Sequence, residues 1–278
     1  MCLTESHSGS DLGLLRTKAT ANADGSYDIT GGKIFISSGQ HDLTSNIVHL
    51  VLARLPDAPP GVKGISLFAC PRQLIDGDGN IVGDNNVNCA SIEHKMGIHG
   101  NSTCVMNFDG AKAWLIGTEH KGMSCMFTFI NESRLGVAQQ GLAHIEGSYQ
   151  KALAYAKDRV QFRSVTKKTG NDADPIVVHP DVRRMLLTQK SLSEGGRALN
   201  YFLAQQADVS HFAATEEERN LAGALLALLT PIAKGFLSEA SLECTNHGVQ
   251  IFGGHGFIRE WGQEQHCRDT RITAIYEG

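Results

Sequence analysis

The spacing of apolar residues divides the chain into two stretches with different periods. Up to about residue 117, short apolar and β-branched runs with the look of strands follow one another: Leu14–Ala21, Tyr27–Ser37, Ile47–Ala53, Val62–Ala69, Thr103–Phe108 and Ala113–Ile116. Clusters of Gly, Pro, Asp and Asn separate them, at Pro56–Gly61 and Asp76–Asn86. Asp24-Gly25, between the first two runs, predicts a β-hairpin with a type I′ turn. Short strands at this spacing predict a sandwich or a small barrel.

From Lys121 the period becomes helical. Leu135, Ala138, Leu142, Ile145 and Tyr149 recur on one face of Gly122–Tyr155. Pro180 opens a second helix, to about Gln206, with proline where the first turn tolerates it. Thr215 predicts the N-cap of a third, with Glu216–Glu218 in its first turn. Thr230-Pro231 predicts the start of a fourth, in which Ile232, Phe236, Ala240 and Cys244 repeat every four residues. The expected fold is α+β: a β domain over residues 1–117 and a helical bundle over 118–278.

Composition narrows the function classes. Hydrophobic residues make up 41% and charged residues 19%, which suits a packed core and not a disordered chain. The net charge is −4 with no basic block, so no nucleic-acid partner is expected. Cys2, Cys70, Cys89, Cys104, Cys125, Cys244 and Cys267 contain no C-x-x-C pair and read as free thiols of a reducing compartment. The longest apolar run, Leu221–Leu229, is too short to span a bilayer.

The candidate chemistry is scattered. Gly253-Gly254-His255-Gly256 admits close backbone approach to a phosphate, but it follows a helix, and taken alone it favours a glycine cap. The loop Leu3-Thr4-Glu5-Ser6-His7-Ser8-Gly9-Ser10-Asp11 offers N–H groups and hydroxyls to a pyrophosphate or a flavin edge; a plain polar loop is an equal reading. Asp76-Gly77-Asp78-Gly79-Asn80 imitates a calcium loop but has Ile81 where glycine is needed and Val87 where glutamate is needed, so it reads as a polar turn. His247, His255 and His266 have no zinc spacing, and no metal site is expected. Arg134, Arg159 and Glu277 each read, singly, as surface charges.

Five strings then fall in the order found in one family: Leu3-Thr4-Glu5 with Gly9-Ser10-Asp11; Gly32-Lys33-Ile34-Phe35-Ile36-Ser37; Arg159-Val160-Gln161-Phe162; Gln250-Ile251-Phe252-Gly253-Gly254-His255-Gly256-Phe257; and Arg268-Asp269 through Ile275-Tyr276-Glu277-Gly278. In these the chain resembles an acyl-CoA dehydrogenase over nearly all of its 278 residues. His94–Gly100, Asn107–Ala111, His179–Arg184 and Ile258–Gly262 resemble a larger-subunit bacterial branch that takes fatty acyl-CoA and 3-methylmercaptopropionyl-CoA substrates.

The resemblance implies a β-barrel middle domain, a C-terminal four-helix bundle and a bound FAD. It implies that Leu3, Thr4, Gly9, Ser10, Phe35 and Ser37 meet the flavin, and that Arg159, Phe162, Gln250 and Gly254 meet the FAD of a neighbouring subunit, hence a homodimer or larger homo-oligomer. Ser10, Asn131 and Arg134 match acyl-CoA contacts, and Glu277 matches the base that removes the substrate α-proton. Electron-transfer flavoprotein is the implied electron acceptor and a bacterial cytoplasm the favoured compartment, with a mitochondrial one open. Ser6-His7 stands where proline is usual, Phe35 where tryptophan is common, Ser37 where threonine is usual, and Arg163 where glycine often follows Phe162. The family's N-terminal helical domain and the residues after Gly278 have no counterpart in the string, so a fragment is expected. Two rival readings stay open: an acyl-CoA oxidase reoxidised by O₂, and a non-catalytic chain that retains no FAD.

Overall fold

Side chains that alternate between the two faces of each strand build the first unit, Met1–Phe129. The computed structural model describes residues 1–166, 170 and 172–277. The strands are β1 (Lys18–Ala21), β2 (Tyr27–Ser37), β3 (Val48–Arg54), β4 (Ile65–Pro71), β5 (Gln73–Ile75), β6 (Ile81–Asp84), β7 (Val87–Ile92) and β8 (Thr103–Ile116). Neighbours run β2-β1-β3-β4-β8, and β8 pairs back onto β2, so five strands close a barrel. β1 meets β3 in parallel at Lys18↔Arg54, and the other pairings in the ring are antiparallel. β7 adds to the N-terminal half of β8, with Val87 opposite Phe108.

Two bulges in the β2–β8 ladder set which residues face inward. Cys104, Met106 and Phe108 are buried at even positions of β8, and Ala111 and Ala113 at odd ones. The change of phase falls at Gly110, where φ is 66° and two residues of β8 oppose one of β2. This is why the two predicted runs Thr103–Phe108 and Ala113–Ile116 are one strand. On β2 the phase changes between Lys33 and Ile36, and the extra residue is Phe35, with φ 58°.

The predicted hairpin over Asp24-Gly25 exists, but its turn is not type I′. Only Gly25 in it takes a positive φ, 84°, and its N–H bonds to Asn22 O. The Asp24 carboxylate instead accepts the Ser26 N–H at 3.0 Å and is held by Lys112 Nζ at 2.6 Å. The polar turn expected at residues 76–80 joins β5 to β6, with Asp76 Oδ1 accepting the N–H groups of Asp78 and Asn80.

The helices are α1 (Gly122–Asp158), α2 (Pro180–Phe212), α3 (Glu216–Phe252) and α4 (Gln263–Thr270); the second unit runs Ile130–Gly278. Thr215 caps α3 reciprocally with Glu218, as its sequence predicts. The predicted break at Pro231 is absent: α3 runs through it. The stripe that packs the bundle core is Leu226, Leu229, Ala233, Leu237, Ala240 and Cys244, whereas Ile232 and Phe236 are exposed. One lost backbone bond at the proline weighs less than a face that continues on both sides of it. By length and composition this helix is apolar enough to cross a bilayer. Of its apolar window 33% is buried, and Leu221, Leu228, Ile232 and Phe236 stay exposed along the helix. Helix α4 replaces the fourth helix expected at Pro231.

Helices α1 and α3 cross closely at Gly141, where a Cβ would stand 2.7 Å from Leu237 O. Gly136, on the same helix, has nothing within 4 Å of that position. Gly141→Ala is therefore expected to lower stability by about 1–3 kcal/mol in urea unfolding, and Gly136→Ala to raise it by about 0.5–1 kcal/mol.

Candidate active site

Three local arrangements carry the residues singled out by sequence. The first is the loop ahead of β1. Cys2 N–H bonds to Leu50 O and Leu52 N–H to Cys2 O, which sets the loop along β3. Ile34 N–H donates to Thr4 O at 2.9 Å, and Lys33 Nζ to Leu3 O at 3.0 Å, so Leu3 and Thr4 lie against β2 just before the Phe35 bulge. Gly9 folds back on Thr4, its missing Cβ position 4.0 Å from Thr4 Cγ2. The bulge turns Phe35 outward, 60% exposed. Ser10 and Ser37 are exposed, Ser37 pairing with Thr103.

The second arrangement surrounds Glu277. Hydroxyl groups dock the segment before it onto α3: Ser238 Oγ donates to Thr273 O at 3.1 Å, and Ser241 and Thr270 share a bond of 2.6 Å. Tyr276 donates its hydroxyl to Gln140 on α1. Arg134 Nε donates to the Glu277 carbonyl at 2.9 Å. Glu277 itself is half-buried with φ 63°, a left-handed backbone that a side chain rarely adopts. Burial raises its carboxyl above the ordinary range, and the cations Arg134 and Lys234 partly oppose that rise. Lys234 is buried on α3, and its ammonium is pushed down by burial and by Arg134. Asn131 is exposed, one turn before Arg134 on α1. Gly278 lies outside the described residues.

The third is a groove of about 360 Å³ at the end of α3, lined by Arg159 and Gly254 together with Tyr155, Gln161, Ile251 and His255, among others. Gly253 caps α3 with φ 59°, the glycine cap that its sequence favours. Neither Gly253 nor Gly254 has an atom within 4 Å of a Cβ position, so their backbone is open to approach. Behind it, His255 stacks on Trp261 at 4.4 Å and bonds Tyr155 Oη at 3.0 Å, and Tyr155 stacks on Phe252. Phe162, 75% exposed with φ 56°, and Gln250, exposed, lie outside the groove's lining.

Sequence reasoning passed over Lys234, the hydroxyl row and the Tyr155–His255–Trp261 stack. The row had a legible signal: Ser238, Ser241 and Thr245 recur at helical spacing inside an apolar segment. The stack had none, because Tyr155 lies 100 positions from His255 in the chain.

A family model described as the acyl-CoA dehydrogenase C-terminal domain matches residues 120–278, and one described as the middle domain matches residues 1–111. The chain belongs to the acyl-CoA dehydrogenase family. It is 48% identical over 278 residues to the 3-methylmercaptopropionyl-CoA dehydrogenase of Ruegeria pomeroyi, covering all of this chain and 47% of that protein. The chain thus spans about half the length of that relative. The butyryl-CoA dehydrogenase of Megasphaera elsdenii has a similar structure, with a TM-score of 0.80 and 31% identity over 100% of this chain and 63% of that one. An acyl-CoA dehydrogenase from Bacillus anthracis, solved with FAD, gives 0.77 and 26% over 100% and 44%. The barrel followed by four helices matches these solved structures over the length of this chain.

Because the two cations favour the ionised carboxyl, removing one raises the Glu277 midpoint further above the usual carboxylate range. Lys234→Met is expected to do so in an infrared pH titration of the carboxyl stretch, with Glu277→Gln assigning the band.

Proposed function

We propose that this chain forms the middle and C-terminal parts of an FAD-dependent acyl-CoA dehydrogenase that converts an acyl-CoA thioester to its trans-2-enoyl-CoA, with Glu277 as the base. The observation that carries the reading is the Glu277 carboxyl. It is half-buried, raised above its usual range, and held on a left-handed backbone by Arg134. A carboxylate kept this way is a stronger base than a solvated one and sits at a fixed angle. It therefore differs from the free surface charge that its chain position alone suggests.

The residues present suit FAD. An open glycine backbone, the Arg159 guanidinium and an aromatic wall share one groove, and the guanidinium and rings match a dinucleotide's phosphate and ring chemistry. On β2, Phe35 offers an exposed aromatic face beside the Leu3–Thr4 backbone. Leu3, Thr4, Gly9, Ser10, Phe35 and Ser37 would hold the flavin end. Arg159, Phe162, Gln250 and Gly254 would take the FAD of a second copy, so the working form is a homo-oligomer. Bound flavin supplies a two-electron acceptor for the β-hydrogen, which leaves as hydride.

Glu277 takes the α-proton onto its carboxylate while the Cα–Cβ double bond forms. Its N–H would polarise the thioester carbonyl, so that charge developing on the oxygen meets a fixed donor. Asn131 and Ser10 would hold the acyl-CoA. Arg134, bonded to the Glu277 carbonyl, orients the base. The relative's name supports a 3-methylmercaptopropionyl or short fatty acyl substrate, and electron-transfer flavoprotein is the acceptor we assign.

Anaerobic mixing of the FAD-loaded protein with acyl-CoA thioesters is expected to bleach the flavin. Glu277→Gln is expected to slow that step by roughly 10²–10⁴-fold while FAD stays bound. Full-rate bleaching by Glu277→Gln sinks the assignment of the base. Rapid peroxide formation in air without an added carrier replaces the dehydrogenase by an oxidase, and a chain that takes up no FAD overturns the flavin reading.

A further inference from the structure

Inward positions of a small barrel are ordinarily filled by apolar side chains. Lys33 occupies one, 0% exposed, in the middle of β2. Its ammonium bonds Glu5 Oε1 at 2.8 Å and Leu3 O at 3.0 Å. Glu5 is also buried and collects three more donors: Arg16 N–H at 2.7 Å, Thr17 N–H at 3.0 Å and Thr17 Oγ1 at 2.6 Å. Burial works against this carboxylate, but Lys33, Thr17 and the Arg16 N–H outweigh it and hold its pKa down at about 2. The cluster therefore joins three segments: the N-terminal loop, the entry to β1, and β2. Packing there is tight, since a Cβ on Gly31 would lie 2.6 Å from Thr17 Oγ1.

Stability does not account for such a pair. Two charges taken out of water lose about as much as they regain, and well-packed apolar residues of the same volume often serve a core as well. What a charged hydrogen bond adds is direction. The Leu3 carbonyl points at Lys33. In a trans peptide the following N–H points the opposite way, so the Thr4 N–H is turned away from the Lys33 ammonium. One residue after Lys33, Ile34 N–H holds Thr4 O, and the next residue is the bulged Phe35. The pair thus sits directly behind both elements that the flavin reading assigns to the ring.

We infer that Lys33 and Glu5 are positioning residues for the flavin: they hold the Leu3–Thr4 peptide and the Phe35 bulge in the orientation that meets the isoalloxazine. This rests on the flavin reading proposed above.

The test compares the wild-type chain with Glu5→Gln/Lys33→Met, which removes both charges and keeps the volume. Thermal unfolding, FAD affinity and the visible circular dichroism of bound flavin are measured on each. The double variant is expected to melt close to the wild type, yet to bind FAD about tenfold or more weakly and to show an altered flavin dichroism. A purely structural pair predicts the reverse, a lower melting temperature with unchanged flavin signals, and that result overturns the inference. If the double variant does not fold, Glu5→Gln alone decides: wild-type FAD affinity and dichroism in that variant overturn the positioning role. Wild-type protein that takes up no FAD overturns the flavin reading itself, and this inference with it, which separates the two failures.

Discussion

A polar group taken out of water needs a partner, and that constraint ties the reactive-looking segments to their scaffolds in both units. In the barrel it is Lys33 with Glu5. In the bundle it is Ser148 with Gln189 and Gln263, Ser241 with Thr270, and Ser238 with the Thr273 carbonyl. Each link joins chain positions that are far apart in sequence. Apolar contact sets how near two elements lie but leaves their mutual angle loosely held. A buried hydrogen bond holds the angle, and the loop at Thr4 and the segment at Glu277 both hang on such bonds.

Much of the fold was legible because it depends on local chemistry. The change of period near residue 117, the Thr215 cap and the polar turn at Asp76–Asn80 follow from residues a few places apart. The errors came where a long-range pattern outweighed a local one. Pro231 is a strong local stop, yet the core stripe on α3 runs through it. Asp109-Gly110 resembles the end of a strand, but barrel closure along β2 and β8 turns it into a bulge. Strands β5, β6 and β7 are short and mostly exposed, so they carry little alternation for a sequence to display. Helix α4 is only 8 residues long, too short for a clear helical period.

The site was legible in a different way. Glu277, Arg159 and Gly254 stood out through family order, not through any property visible at those positions. Read singly, Arg159 and Glu277 are wet surface charges and Gly254 is part of a helix cap. Family order implies an acyl-CoA contact for Arg134, while its bond to the Glu277 carbonyl, across 143 positions of chain, has no signal in the sequence. Lys33 is the clearest case: inside an alternating β run a lysine reads as solvent-facing, and only the Phe35 bulge and the distant Glu5 make an inward lysine tenable.

Phe35, Phe162 and Glu277 share a left-handed backbone, at φ values of 58°, 56° and 63°. For a residue with a Cβ this conformation costs roughly 1–2 kcal/mol relative to the right-handed one, and glycine relieves it. A chain drifting under pressure for stability alone would move toward glycine at all three. A bulky ring or a carboxylate at each therefore stands at a cost in folding free energy. The same torsion occurs at Ser38, Asn86, Ile98 and His120, so it marks a cost that the surrounding fold imposes, and Phe35, Phe162 and Glu277 bear that cost together with the roles proposed for them.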